Sequence, residues 1–396
     1  MTKYAAALSQ HPSAVEAVGE CAGSLLERLD GMRPDVVVLF ASEHHRGSAN
    51  DIADVLQTLL EPETLIGTTA AMVAGNDLEV EQGPALSVWA ACLGGSRART
   101  VRLDAVPGSD GVRLEGWPDD LMASGTLILL ADPFSFPTGD FLELCNRRVA
   151  GLTVVGGLAS AARAPGDNVL IADQRTYATG AVGVMLDKTV PAWTAVSQGC
   201  RPIGRPFTIT DAERNVVRGL GGTTPLSRLQ DIAATASDDE RALLQAGLHV
   251  GIVVDEHRAE FARGDFLVRN VTGADPDTGA IGVGELVEVG QTLQFHVRDA
   301  ESAREDLRLV AASAVHTPEH QARAALLFTC NGRGTHLFGR PHHDAATLER
   351  VGDDALELAG MSCAGEIGPV GGRAFLHGFT ASMLLFGDES STLALP

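Results

Sequence analysis

The chain has 396 residues, of which 45% are hydrophobic and 20% charged, and its formal net charge is −21. That length exceeds one ordinary domain of roughly 100–200 residues, and the composition excludes intrinsic disorder and gives a sizeable core. Lys3 and Lys188 are its only lysines. A chain this acidic is not drawn to phosphate backbones or anionic membranes, so nucleic-acid and membrane partners are not expected.

In chain order, Met1 to Ser9 lacks the long apolar core of a secretory signal, and His11 and Pro12 follow at once. No apolar run reaches the ~18 residues of a membrane span. A cytoplasmic location is expected.

A pattern then repeats. Asp35 to Ala41 reads as a buried strand, Ala49 to Leu60 as a helix, Leu65 to Ala70 as a short strand ending in small residues, and Ala85 to Ala91 as a closing strand. The second copy has strand Thr126–Ala131, a helix around Asp140–Cys145, the Gly-rich turn Val154–Ala159 and closing strand Gly180–Leu186. The third has strand Ala324–Phe328, helix Asp344–Leu358, turn Ser362–Gly368 and closing strand Ala381–Phe386. A fourth copy would start at Leu248 to Val254, without a clear helix or turn.

Apolar runs of four to eight residues bounded by Gly and Asp fit strands better than helices. The expected fold class is α/β with α+β mixed sheets, built from strand–helix–strand–strand units with Gly-rich strand-end turns. Turn chemistry at Gly219–Gly222, Pro225 at a helix start and a capped start at Ser237–Glu240 place a boundary. It gives one domain over 1–225 and another over 226–396. The tail after Gly387 is polar and expected to fray.

The six cysteines, Cys21, Cys92, Cys145, Cys200, Cys330 and Cys363, form no C-x-x-C pair and read as reduced thiols. His44-His45 and His342-His343 are adjacent pairs, whose side chains diverge on a strand or helix. No metal site, nucleotide motif or cofactor is expected.

The candidate ligand residues concentrate in the third copy. Asn331, Arg333, Gly365 and Glu366 lie on two Gly-rich turns together with Cys330 and Cys363. A guanidinium fork matches a carboxylate and a glutamate matches an ammonium, so Arg333 and Glu366 suit a zwitterion; otherwise they pair with each other or cap helices. Thr69 and Gly157 offer donors on the equivalent turns. Arg269 follows a strand-like run, where ion pairing competes with ligand contact; Arg201 lies in the tight, Pro-constrained segment Ser197–Gly204, where connecting strands and docking the two domains competes with ligand contact. Cys363 with His377 is the candidate catalytic pair, which requires a lowered thiol pKa; inert buried thiols are the competing reading.

Seven segments together resemble the FIST-domain family: Gly67-Thr68-Thr69-Ala70, Val155 to Ala159, Ser197 to Gly204, Phe266 to Asn270, Gly290 to Asp299, Asn331 to Gly334, and Gly365 to Pro369. The resemblance covers roughly 30–388 and implies a FIST N-terminal domain followed by a FIST C-terminal domain. Thr68 departs from it, standing where a cysteine is common, which removes thiol chemistry from that turn. The resemblance implies a sensory, signal-transducing module for small ligands, amino acids among them. No fused output domain is expected, so the output is a separate signalling protein or the chain's own assembly. Two other readings stand beside the sensor: a cysteine-dependent hydrolase or transferase, and a protein-interaction scaffold.

Overall fold

The computed structural model describes residues 2–108, 111–117, 125–149, 151–258, 260–261, 264–317, 320–352 and 356–388. The tail and residues 353–355 of the expected third-copy helix lie outside these. That helix spans His343–Val351, and the chain is a strand again from Glu357 to Cys363.

Three copies of one unit are present. In the first, strand Val36–Ser42 leads through helix Ala49–Leu60 to the parallel strand Thr64–Ala70, and closing strand Leu86–Leu93 pairs antiparallel with the first strand. In the second, Gly125–Ala131, Thr138–Arg148, Leu152–Leu158 and Ala181–Asp187 repeat these pairings. In the third, Ala322–Cys330, His343–Val351, Glu357–Cys363 and Ala381–Gly387 repeat them again. A further strand borders each closing strand: Thr2–Ser9, Ala98–Gly108 and Ala192–Ser197.

Each copy also carries a hairpin between its second and closing strands, and the hairpins are exchanged cyclically. The first copy's hairpin, Val73–Gly75 and Leu78–Val80, joins the third copy's second strand. The second copy's, Leu170–Ala172 and Arg175–Tyr177, joins the first copy's. The third copy's, Glu366–Val370 and Arg373–His377, joins the second copy's. At the ends of the second strands Ser160 ties the copies together: its Oγ donates to Ser362 O at 2.6 Å and accepts from Ala71 N at 2.9 Å.

The strands read as unbroken apolar runs because both sheet faces are covered. Val36, Val38 and Phe40 enter a central core with Ile128, Leu130, Ala324, Leu326 and Phe328 from the other copies. The alternating Val37, Leu39 and Ala41 pack outward against the helices Ala14–Arg28 and Ala49–Leu60. Leu127 and Leu129 pack outward with Phe141 and Leu142 of the second copy's helix, and Ala325 and Leu327 with Ala345 and Leu348 of the third's. One glycine recurs at the same register. Gly67, Gly156 and Gly360 sit beside Leu39, Leu129 and Leu327, and a Cβ at each would stand 2.7, 2.0 and 2.4 Å from that leucine's carbonyl oxygen.

The chain forms two compact units, residues 1–196 with 307–396, and residues 197–306. This division cuts the chain at places other than 225/226. The third copy is interrupted in sequence between its bordering strand and its first strand, and the interrupting stretch is a unit of its own. That second unit is a closed barrel of Cys200–Glu213, Val216–Leu220, Ile281–Val283, Phe266–Ala274, Leu248–Val253 and Thr292–Arg298. The turn chemistry at Gly219–Gly222 and the Pro225 helix start belong inside it. Strand Leu248–Val253, the proposed start of a fourth copy, pairs antiparallel on both sides and is a barrel strand instead.

Candidate functional site

The residues that distinguish the third copy meet at the carboxyl ends of its two parallel strands. Alternation along Ala322–Cys330 sends Phe328 inward and Thr329 outward, and Cys330 stands in register with Cys363. Gly334 and Gly339, both at positive φ, bracket a single helical turn, Thr335–Phe338. His342, at φ 61°, then starts the helix His343–Val351.

Arg333 is fully buried and paired with Asp344 of that helix. Its Nε donates to Oδ2 at 2.6 Å and its Nη2 to Oδ1 at 2.9 Å, a bidentate fork. Thr329 Oγ1 also donates to Oδ2 at 2.8 Å, and His343 Nδ1 lies 2.7 Å from Oδ1. Burial alone would raise the Asp344 carboxyl. The charge of Arg333 and the donors around it outweigh burial and hold it well below the usual carboxylate range. The guanidinium lies 5.2 Å from the Phe338 ring centre, and His343 stacks on that ring.

Two further carboxyls flank this pair. Glu79, from the first copy's hairpin, accepts from Asp344 N at 3.0 Å and Ala345 N at 2.9 Å through Oε1. Its Oε2 is buried with no hydrogen-bond partner among the described residues. Burial, and then the charge of Asp344, push its pKa up to about 8 against the two amide bonds. Glu366 is completely buried; its Oε2 accepts from Thr380 N at 2.9 Å and Thr380 Oγ1 at 2.8 Å. Its Oε1 has no N–H or O–H donor among the described residues, and the Cys330 thiol lies beside the carboxyl. Burial raises Glu366 to about 8, opposed by Thr380 and by the charge of Arg333.

The structure brings several sequence candidates together here. Gly157 pairs in register with Glu366, and a Cβ on it would stand 2.2 Å from Cys363 Sγ, so this glycine makes room for the thiol. Gly365 accepts from Leu158 N through its carbonyl, and exposed Asn331 donates its backbone N–H to Cys363 O. Cys363 is buried, and burial followed by the charge of Glu366 raises its thiol well above 9, which keeps it protonated. His377 Nε2 lies 2.9 Å from Gly368 O. Thr69 is buried on the first copy's turn, where its Oγ1 accepts from Val169 N at 3.0 Å.

Arg269 and Arg201 belong to the barrel unit. Arg269 donates to Glu285 through Nε at 3.0 Å and pairs with it through Nη2 at 2.9 Å. Arg201 donates to Asp299 and to Glu240, both at 3.3 Å. The sequence did not mark Asp344 as the partner of Arg333, nor Glu79, Thr329 and Thr380, and it offered His343 only as half of an adjacent histidine pair. An aspartate in the first turn of a helix reads as a dipole partner, and nothing local marks Glu79. Among the described residues no group of three or more His, Cys, Asp or Glu side chains is placed to hold a metal ion. No helix among them is long and apolar enough to cross a membrane.

A mixed-sheet fold with a charged cluster at its strand ends defines a class that comparison with known proteins makes specific. The FIST N domain matches residues 35–223 and the FIST C domain matches residues 225–369, so the chain belongs to the FIST family. FIST domains are associated with signal-transduction sensing. The chain is 45% identical over 381 residues to the uncharacterized protein Rv0628c of Mycobacterium tuberculosis, covering 96% of this chain and 98% of that one. It is 44% identical over 380 residues to the uncharacterized protein Mb0898c of Mycobacterium bovis, covering 96% and 97%. Against the solved T. maritima PurL complexed with ATP the TM-score is 0.24 at 10% identity, over 98% of this chain and 72% of that one. A likeness so low transfers neither fold nor ligand.

Proposed function

We propose that the chain senses a small molecule, an amino acid or a like ligand, through the buried charge cluster of its third copy, and passes the signal to a separate cytoplasmic protein. What supports this reading is an imbalance. Arg333 is one buried cation among three buried carboxyls, those of Asp344, Glu79 and Glu366. Asp344 takes the charge of Arg333, while burial leaves Glu79 and Glu366 largely protonated at neutral pH. Buried ionisable groups add little net stability, and strongly shifted ones cluster at functional sites.

An ammonium group brought to Glu366, where the Cys330 thiol already lies beside the carboxyl, would supply an N–H donor at Oε1 and convert the carboxyl to its charged form. Arg333, already in the fork of Asp344, would share Nη1, which donates to Phe379 O at 3.5 Å, with the ligand's carboxylate. Cys330, Asn331, Gly157, Gly365 and Cys363 would line the approach. Binding shifts a conformational equilibrium only as far as the ligand prefers one arrangement.

Calorimetry with the twenty amino acids near pH 7, in buffers of different ionisation enthalpy, tests this. The expected result is saturable heat with at least one of them, with a buffer-dependent part because Glu366 releases a proton. Glu366→Gln should bind more weakly and lose the buffer dependence. Absence of heat with all twenty would overturn the proposal.

A further inference from the structure

A cleft lies at the start of the His343–Val351 helix and shares His343 with the cluster. Its volume is about 490 Å³, and its lining includes Arg340, His342, His343 and Arg350, together with Asp77 and Glu349. The first amides of the helix are not available to a ligand, since Asp344 N and Ala345 N donate to Glu79 and Ala346 N donates to His342 O. Anything held here is held by side chains.

Hydrogen bonding fixes the role of Nδ1 in both histidines. His342 Nδ1 accepts the backbone N–H of Glu79 at 2.9 Å, so its ring proton sits on Nε2 and is a donor. His343 Nδ1 faces Asp344 Oδ1 at 2.7 Å, so in the neutral ring Nε2 is an acceptor. His343 is 1% exposed and its Nε2 has no partner among the described residues. Arg350 uses Nε on Ala346 O at 2.8 Å, and Arg340 makes no ion pair among the described residues. A buried ring nitrogen without a partner among the described residues thus sits beside two exposed arginines and an imidazole N–H.

We propose that this cleft binds a small oxyanion that also carries an O–H, as hydrogen phosphate, a phosphate monoester monoanion or a hydroxy acid does. The negative oxygens meet Arg340, Arg350 and His342 Nε2–H, and with the ligand in place the His343 ring is neutral and its Nε2 accepts the hydroxyl. Asp77 and Glu349 disfavour a fully ionised polyanion and select for the protonated oxygen. Arginine is suited to the anionic end because its fork matches carboxylate and phosphate alike.

The test titrates the full chain with inorganic phosphate, and separately with lactate, while calorimetry follows binding and 15N spectra follow the histidine side chains. Expected are saturation by at least one probe, a shift of the His343 Nε2 resonance on binding, and at least tenfold weaker binding in Arg340→Ala/Arg350→Ala. Both replaced residues are exposed, so the variant should keep its fold. Saturation by phosphate alone assigns a phosphate ligand, and saturation by lactate alone a hydroxy acid. A response that does not saturate, an unmoved His343 resonance, or unchanged affinity in the double variant would overturn the proposal. Glu366→Gln should leave phosphate or lactate binding intact, which separates this cleft from the amino-acid reading of the cluster.

Discussion

Glu79 caps the helix that Asp344 enters: its Oε1 accepts the Asp344 backbone N–H at 3.0 Å, although the two residues lie 265 positions apart. The link exists because the first copy's hairpin is added to the third copy's sheet. Glu79 pairs in its hairpin with Ala74, which stands opposite the recurring Gly360, and this brings the carboxyl to the helix start. Strand exchange between copies is therefore what assembles the buried cluster.

The cap gives the first prediction. Glu79→Ala leaves the amides of Asp344 and Ala345 without an acceptor and should cost about 1–2 kcal/mol, the usual worth of a capping side chain. Glu79→Gln keeps an acceptor oxygen and replaces a carboxyl that is largely protonated at pH 7, so it should lie close to wild type. Urea denaturation of both variants checks this, and a Gln variant as unstable as the Ala variant would refute the protonated state.

The same carboxyls predict weakening in alkali. Glu79 and Glu366 are raised in the fold to about 8 from an ordinary 4.5. Raised carboxyls contribute stability fully below 4.5, and that contribution is lost as pH rises through about 8. The slope is at most ~1.4 kcal/mol per pH unit for each group. Melting temperature followed from pH 6 to 9 should fall in wild type and fall less in Glu366→Gln; an equal fall in both would remove Glu366 from the account.

The barrel predicts the opposite sensitivity. His249 and His296 face each other in register on neighbouring strands, and burial lowers both, His296 to about 4. A histidine lowered in the fold contributes stability that is present above its unfolded 6.5 and is lost as pH falls through about 4. Acidification from pH 7 to 4 should weaken the 197–306 unit, with His296→Phe blunting the effect. Hydrogen exchange resolves this unit from the rest; protection in residues 248–253 that stays constant with pH would sink the idea.

The recurring glycine is tested by substitution. Gly67→Ala, Gly156→Ala and Gly360→Ala each drive a Cβ into a backbone carbonyl and should cost at least 1–3 kcal/mol. Gly19 and Gly23 lie in the helix Ala14–Arg28 with nothing within 4 Å of an added Cβ. Gly19→Ala and Gly23→Ala should stabilise by about 0.5–1 kcal/mol. Five melting curves decide it, and a tolerated Gly360→Ala would mean that the strands can separate.

The sequence by itself determined the strand–helix–strand units, because runs such as Val36-Val37-Val38-Leu39 are covered on both faces and stay apolar throughout. It also marked the third copy as distinct, because Arg333, Glu366, Cys330 and Cys363 occupy turns that are neutral in the other two. Only the tertiary structure decided which groups face one another. The partner of Arg333 proved to be Asp344, which in sequence looks like an ordinary first-turn aspartate. Glu79 reaches the same helix from a hairpin some 265 residues away, by pairing that leaves no local periodicity. The barrel was equally hidden. Its strand Leu248–Val253 pairs antiparallel on both sides, whereas the first strand of each copy has one parallel neighbour, and an apolar run does not show the direction of its partners. Pairing direction, strand exchange and burial are long-range properties, and they are what shift Asp344 down and Glu79 and Glu366 up.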